Sequence, residues 1–450
     1  MKAAEEYAAT VPAKQRRRQQ RGWYFYDWAN SVFPTTVLTV FLGPYLTSVT
    51  RTAAGADGLV HPLGIPVTAG SFFPYVVSAA TVIQVLVLPI TGTIADRSAH
   101  KRELLAALAY AGALCTALMF FLAGDRYLLG GILFLLGNTA LGASVVVYNS
   151  FLNDIATVDE RDRVSSRGWA FGYLGGALLL GLNLALFLGH DRLGIGEGDA
   201  VRICLLSAGI WWAAFTVIPL RTLRNRRPVH VERGRPLSAG FRQLGRTIAS
   251  LRHQPRTLLF LAAFLLYNDG IQTVISLASV YGSEELELGQ SVLISTILLV
   301  QFMAFVGALL LGKLAQLFGT KRVVLASLVL WTAVVVVAYF LETGAATQFY
   351  LLGAAIAIVL GGSQALSRSL FSLLIPRGRE AEFFGFYEIS DKGTSWIGPL
   401  VFGLALQVTG SYRSAIVSLV VFFVVGFVLL AATNLPRAVR EAGNPVPDKI

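Results

Sequence analysis

Charged side chains are scarce in this sequence: Asp, Glu, Lys and Arg make up 14% of the 450 residues, where soluble domains carry about 25%. An ordinary water-soluble domain is therefore excluded. There are only two cysteines, Cys115 and Cys204, both in apolar stretches with no His or Cys at ligand spacing. That argues against a disulfide framework or a metal site and leaves core packing. No phosphate-cradling glycine loop and no nucleophile–base spacing stands out, so neither ATP-driven transport nor an enzyme is expected, and no cofactor.

What is abundant is apolar. Hydrophobic residues reach 55% and the mean hydropathy is +0.63. Runs of about 20 apolar residues read as membrane-crossing helices. They fall at 22–49, 70–95, 103–123, 127–153, 164–189, 201–220, 256–281, 290–312, 321–341, 347–375, 381–409 and 412–433. Barrel strands would alternate over about 10 residues, and these runs do not. The expected fold class is an all-α polytopic membrane protein of twelve transmembrane helices in two pseudo-symmetric six-helix bundles. Arg16, Arg17, Arg18 and Arg21 precede the first run, as in a signal peptide. The run is long, aromatic at its start and carries Asp27, which reads as a retained first helix.

The net charge of +11 is unevenly spread. With both termini inside, the inner segments hold 30 of the 37 Lys and Arg, a positive-inside bias that sets the orientation and argues against nucleic acid as a partner. In a bacterium the location would be the plasma membrane. The expected organisation is a basic cytoplasmic N-terminus (1–21), a first six-helix half (22–220), an Arg-rich cytoplasmic linker (221–255), a second half (256–433) and a cytoplasmic tail (434–450). Within the linker, Phe241, Leu244, Ile248 and Leu251 share helical spacing with arginines between them. That suits an amphipathic helix on anionic inner-leaflet lipids; a solvated linker is the alternative.

The halves repeat. Gly92, Asp96, Arg97, Lys101 and Arg102 follow the second run, and Gly312, Gln316, Gly319, Lys321 and Arg322 follow the eighth, 220 positions later. Asn149-Ser150-Phe151-Leu152 likewise matches Arg368-Ser369-Leu370-Phe371 at an offset of 219. Parallel repeats of this kind are a transporter plan, with the substrate site at their interface.

Ionisable residues inside spans mark functional paths, because charge in hydrocarbon costs roughly 3 kcal/mol or more. Asp269 lies about 20 Å into the seventh run at ~1.5 Å per residue. Asp27 and Asn30 in the first run, and Asp269 and Gln272 in the seventh, each sit three apart on one helix face. With Asn268 they are expected to line a central pathway, Gly270 leaving room for a solute. In the tenth and eleventh runs, Arg368, Glu388, Asp391 and Lys392 form a charge-balanced cluster. It is either a buried ion-pair network or a substrate site, with Arg368 expected within salt-bridge or one-water distance of Glu388 in at least one conformational state. Gly168, Gly172 and Gly176 permit close helix approach, and packing alone accounts for them.

The loop at 92–102 resembles the loop signature of the major facilitator superfamily. Four further stretches resemble its vacuole-effluxer-like (autophagy-related) branch and bacterial relatives: Tyr26-Asp27-Trp28-Ala29-Asn30-Ser31, Leu266 to Thr273, Gly362 to Ser369, and Phe383-Phe384-Gly385-Phe386-Tyr387. The resemblance implies a twelve-helix facilitator and, in the fungal vacuolar members, amino-acid efflux. The repeat plan adds alternating access on a small polar solute, and a buried carboxylate adds protons as a second partner through Asp269 or the helix-11 acids. Export of drugs or sugars, or a non-transporting sensor or scaffold, are the alternatives. Asp96, with Gly92, Arg97, Lys101 and Arg102, is expected to latch the cytoplasmic side, either on nearby basic residues or on another helix's positive N-terminal end. Two departures stand out: Gln316 replaces the acid expected in the second loop, and Asn153 stands where relatives tend to have proline.

If the charge bias sets the topology, an impermeant thiol reagent added to intact cells should label Ala53→Cys and spare Gly234→Cys. The reverse pattern would invert the orientation.

Overall fold

The computed structural model describes residues 7–226, 254–392 and 397–450, apart from the side chains of Gln290 and Lys392. The amphipathic stretch expected at 237–252 lies outside the described residues. Eleven helical runs among those described are long and apolar enough to cross a membrane. They are α1 (Ala13–Ala53), α2 (Ala69–Arg97), α3 (Lys101–Phe121), α4 (Tyr127–Ile155), α5 (Val158–Leu188), α6 (Glu197–Thr222), α7 (Pro255–Glu284), α8 (Ser291–Phe318), α9 (Thr320–Tyr339), α10 (Ala346–Leu373) and, after the eleventh expected run, α13 (Tyr412–Ala432). The expected run at 381–409 falls on α11 (Glu380–Lys392) and α12 (Ile397–Thr409), on either side of residues that are not described. A short α14 (Leu435–Glu441) follows.

Several helices depart from plain α geometry, two of them near the seam. Pro34 in α1 has no N–H to donate, and over Phe33–Phe41 the chain widens to π-helical turns, a form found mostly in short stretches at functional sites. The second helix, α4, breaks at Phe151 and resumes at Leu152–Ile155, so the interruption occurs with Asn153 in place of proline. Between α1 and α2 lies a two-residue antiparallel ladder, β1 (Leu59–Val60) on β2 (Val67–Thr68), with Leu59 opposite Thr68.

The outer surface is apolar, unlike that of a soluble protein. Ile132 and Leu136 on α4, Val306 and Leu310 on α8, and Val82 and Leu86 on α2 are exposed at one-turn spacing, an apolar surface of the kind that meets lipid. Inside, each half has its own core. Trp212, Phe33 and Phe134 anchor the first, and Trp331, Phe260, Phe264 and Phe423 the second.

The halves meet through α2 on α11, α5 on α8, α5 on α10 and α4 on α11. The first two pairings are each other's counterparts under the repeat. Two hydrogen bonds join repeat-equivalent positions directly, Arg368 to Asn149 and Asn153 to Ser372, each 219 residues apart. Such contacts arise where equivalent helices face one another across a shared axis.

Candidate functional site

Arg368 is 3% exposed, and it leaves its own half entirely for its partners. Its Nε donates to Ser165 Oγ at 2.9 Å and its Nη2 to the Ser165 carbonyl at 2.9 Å. Both terminal nitrogens donate to Asp27 Oδ2 at 3.3 Å, and Nη1 also donates to Asn149 Oδ1 at 3.2 Å. A guanidinium has five N–H donors, and these five bonds use them all. The faces of Trp23, Trp169 and Tyr148 lie 4.8, 5.4 and 5.8 Å from the guanidinium carbon, within cation–π range. Tyr148 also donates to Asp27 Oδ2 at 2.7 Å. Asp27 keeps 14% of its side chain exposed, so the pair borders space rather than being sealed.

Gly168 brings α5 against this pair: a Cβ there would meet Asp27 Oδ2 at 2.6 Å, the Trp23 ring at 2.7 Å and Arg368 Nη2 at 3.0 Å. This is the close helix approach expected of it, and it falls on the ion pair. The Asp27 expectation and the Arg368 expectation fall on one ion pair. The carboxylate expected opposite Arg368 was Glu388; Asn149 stands between them instead, donating to Glu388 Oε1 at 2.9 Å while accepting from Arg368. On the α7 side, Asn268 accepts from Gln364 Nε2 at 2.7 Å and donates to Asp391 Oδ1 at 2.8 Å. Tyr173 of α5 is within electrostatic reach of Asp391, Asp27 and Arg368, which brings these groups around one interior region. The side chain of Lys392 lies outside the described residues.

Asp269 sits elsewhere. It is 1% exposed, and its Oδ2 accepts the backbone N–H of Gly398, in the first turn of α12, at 2.7 Å. Its Oδ1 has no hydrogen-bond partner among the described residues. Gly270 leaves no room for a solute: a Cβ on it would meet Phe422 at 3.0 Å and Phe423 at 3.1 Å, so its space belongs to α13. Gln272 is half-buried. Asn30 is buried with its amide nitrogen unpaired among the described residues.

At the basic end, Asp96 accepts the backbone N–H of Ala381 and of Glu382, each at 2.8 Å. Those N–H groups are orphans of the first turn of α11, so the acid caps a helix of the other half. Gly92, one turn earlier, packs its bare Cα on the Ala381 carbonyl. Lys101 pairs with Asp154 at 3.3 Å, which also takes Arg226 at 2.8 Å. Arg102 pairs with Glu103 at 2.7 Å, and its backbone N–H donates to Asn225 at 2.8 Å. Arg97 ends α2 beside Asp96.

Sequence reasoning missed Tyr148, Trp23, Trp169 and Ser165, and also Arg161 and Asn153, which both donate to the Ser372 carbonyl. Aromatic and hydroxyl side chains inside apolar spans look like ordinary core. The available signal was the 219-residue offset, which pairs Asn149 with Arg368 and carries Asn153 to Ser372.

Two helical halves meet along a charged seam, and a loop carboxylate of one caps a helix of the other, an arrangement that fits a facilitator-type membrane transporter. The family profile described as "Vacuole effluxer Atg22 like" matches residues 15–443, and the chain belongs to that family, a branch of the major facilitator superfamily. The MFS-type transporter YxiO of Bacillus subtilis is 31% identical over 93% of this chain and 95% of its own length. Autophagy-related protein 22 of Kluyveromyces lactis is 27% identical over 97% of each. In fold, the chain is similar to the human organic anion transporter MFSD10, with a TM-score of 0.68 at 16% identity over 93% of this chain and 100% of that one.

Removing one partner of a buried ion pair typically costs about 3–5 kcal/mol, because the other charge is left stranded. Arg368→Ala should therefore destabilise the purified protein more than the Arg368→Ala, Asp27→Ala double variant does. The parallel cycle with Glu388→Ala should show much weaker coupling, since Asn149 intervenes. Chemical or thermal unfolding reads both cycles. Strict additivity in the first would mean that Arg368 and Asp27 do not interact.

Proposed function

We propose that the chain moves a small polar solute, an amino acid first, across the membrane by alternating access, with the Arg368–Asp27 seam as its switch. The observation that carries this reading is that all five donors of a buried guanidinium in one half are spent on the other half. A solute carboxylate that reaches Arg368 competes with Asp27, so binding trades a bond between halves for a bond to the solute. Differential affinity of that kind is what shifts a two-state equilibrium. Asp391 and Glu388, held through Asn268 and Asn149, supply acceptors for a solute ammonium on the same interior region; Asn30 and Gln272 complete the polar set. The vacuole-effluxer description of the family favours efflux.

Asp269, with one oxygen unpaired among the described residues, is the proton carrier in this reading. Gly92, Asp96, Arg97, Lys101 and Arg102 are the cytoplasmic gate, and the basic end, cytoplasmic by its charge, is the closed one.

A thermal-shift screen of the purified protein against amino acids, sugars and nucleosides tests the solute class, since a ligand of the native state raises its melting temperature. Stabilisation by an amino acid should disappear in Arg368→Lys, which keeps the charge but loses the planar fork. Stabilisation only by sugars or nucleosides would overturn the amino-acid assignment. In proteoliposomes, Asp269→Asn should abolish proton-driven accumulation while solute exchange survives, because the amide mimics the protonated acid. Folding should hold, an amide being cheaper to bury than a carboxylate. Normal accumulation in Asp269→Asn would remove Asp269 from the proton path.

A further inference from the structure

The inner latch has two limbs under the repeat, and the second is built differently. In the first, Gly92 packs on the start of α11 and Asp96 caps it. In the second, Gly312 packs on Ser166 near the start of α5, but the position of the acid holds Gln316, which is exposed. The acid comes from the facing side. Asp162, in the first turn of α5, accepts the hydroxyl of Thr320 at the α8–α9 turn, and Thr320 is 1% exposed. The polarity of the limb is reversed: the helix carries the carboxylate and the loop carries the donor.

The tail lies over this limb. After α14, Asn444 is buried and its amide donates to the Leu373 and Ile375 carbonyls at 2.8 and 2.7 Å, at the end of α10. Helix-end carbonyls need such partners; the neighbouring Ser372 carbonyl takes Arg161 at 2.8 Å from the other half. Pro447 is buried. Lys449 Nζ then donates to the Leu317 carbonyl at 3.1 Å, Ile450 lies against Gly319, and the Asp448 N–H donates to Asp159 Oδ1 at 3.2 Å. Leu317 and Gly319 belong to one half and Asp159 to the other, so seven residues cross the seam where the loop acid is missing.

We propose that Asp162 and the segment Asn444–Ile450 together form a second inner latch, replacing the absent acid at Gln316, and that the tail is a strap that holds the basic end closed. Asn444 is a positioning residue in it: it fixes the end of α10, five residues beyond Arg368, in the register that Arg161 and Asn153 bind. The proposal rests on the alternating-access reading.

The test uses the full chain in lipid nanodiscs with Cys115→Ala, a Ser166→Cys thiol in the seam and the native Cys204, buried in the first half's core, as internal control. The rate of maleimide labelling is measured at both thiols. Asp96→Ala opens the first limb and should raise the Ser166→Cys rate alone. Asp162→Ala, Asn444→Ala and deletion of 444–450 should each raise it about fivefold or more, the lower range of conformational couplings, with Cys204 unchanged. Where the deletion does not fold, Lys449→Met at the exposed end of the strap stands in for it. A response to Asp96→Ala but not to the Asp162 and tail variants would overturn the second latch. Equal acceleration at Cys204 would overturn it as well, showing general loosening. No response even to Asp96→Ala would overturn the alternating-access reading beneath it.

Discussion

The structure turns on the burial of one guanidinium. A charge inside a membrane protein is tolerated only when every donor finds an acceptor, and Arg368 finds none of its acceptors at home. Ser165, Asp27 and Asn149 all belong to the other half, and so do the three aromatic faces around it. The halves cannot part on this side without stranding the charge or giving it a new anion. Most of the seam's other features support that constraint. Gly168 lets α5 close on the pair, Tyr148 fixes the carboxylate, and Asn149 relays the contact to Glu388.

Closer to the basic end, the joining chemistry changes from side-chain ion pairs to helix termini. Asp96 satisfies two orphan N–H groups of α11, while Arg161, Asn153 and Asn444 satisfy the last carbonyls of α10. α10 and α11 are consecutive, so the short connection between them is held at both flanks by polar groups from outside. Backbone ends are obligatory partners, and using them as joints gives contacts that form in full or not at all.

The sequence was legible where one residue type carries the whole signal. Apolar runs located the spans, the glycine–acid–basic loop located the contact of Asp96 with α11, and the ionisable residues in spans located Asp27 and Arg368. It was not legible where meaning depends on which of several neighbours a side chain meets. Asp269 and Asn268 are adjacent, yet the amide faces Asp391 and Gln364 while the carboxylate faces the start of α12. Helical periodicity gives a face, not the helix that face will meet. Gly270 illustrates the same limit, its space being filled by Phe422 and Phe423 from a helix about 150 residues away in the chain.

Asn149 and Arg368 hold equivalent places in the two repeats and touch each other. A position that confronts its own counterpart cannot hold the same charged residue on both sides, since two guanidiniums there would repel at contact distance. A charged residue is therefore not repeated at this place, however closely the rest of the two halves agree, although a neutral amide could face its own copy. With Arg368 as the donor, the other copy must supply an acceptor. The chain's left–right difference is thus imposed at the dyad by electrostatics, and the anionic partners gathered on the first half follow from which copy took the positive charge.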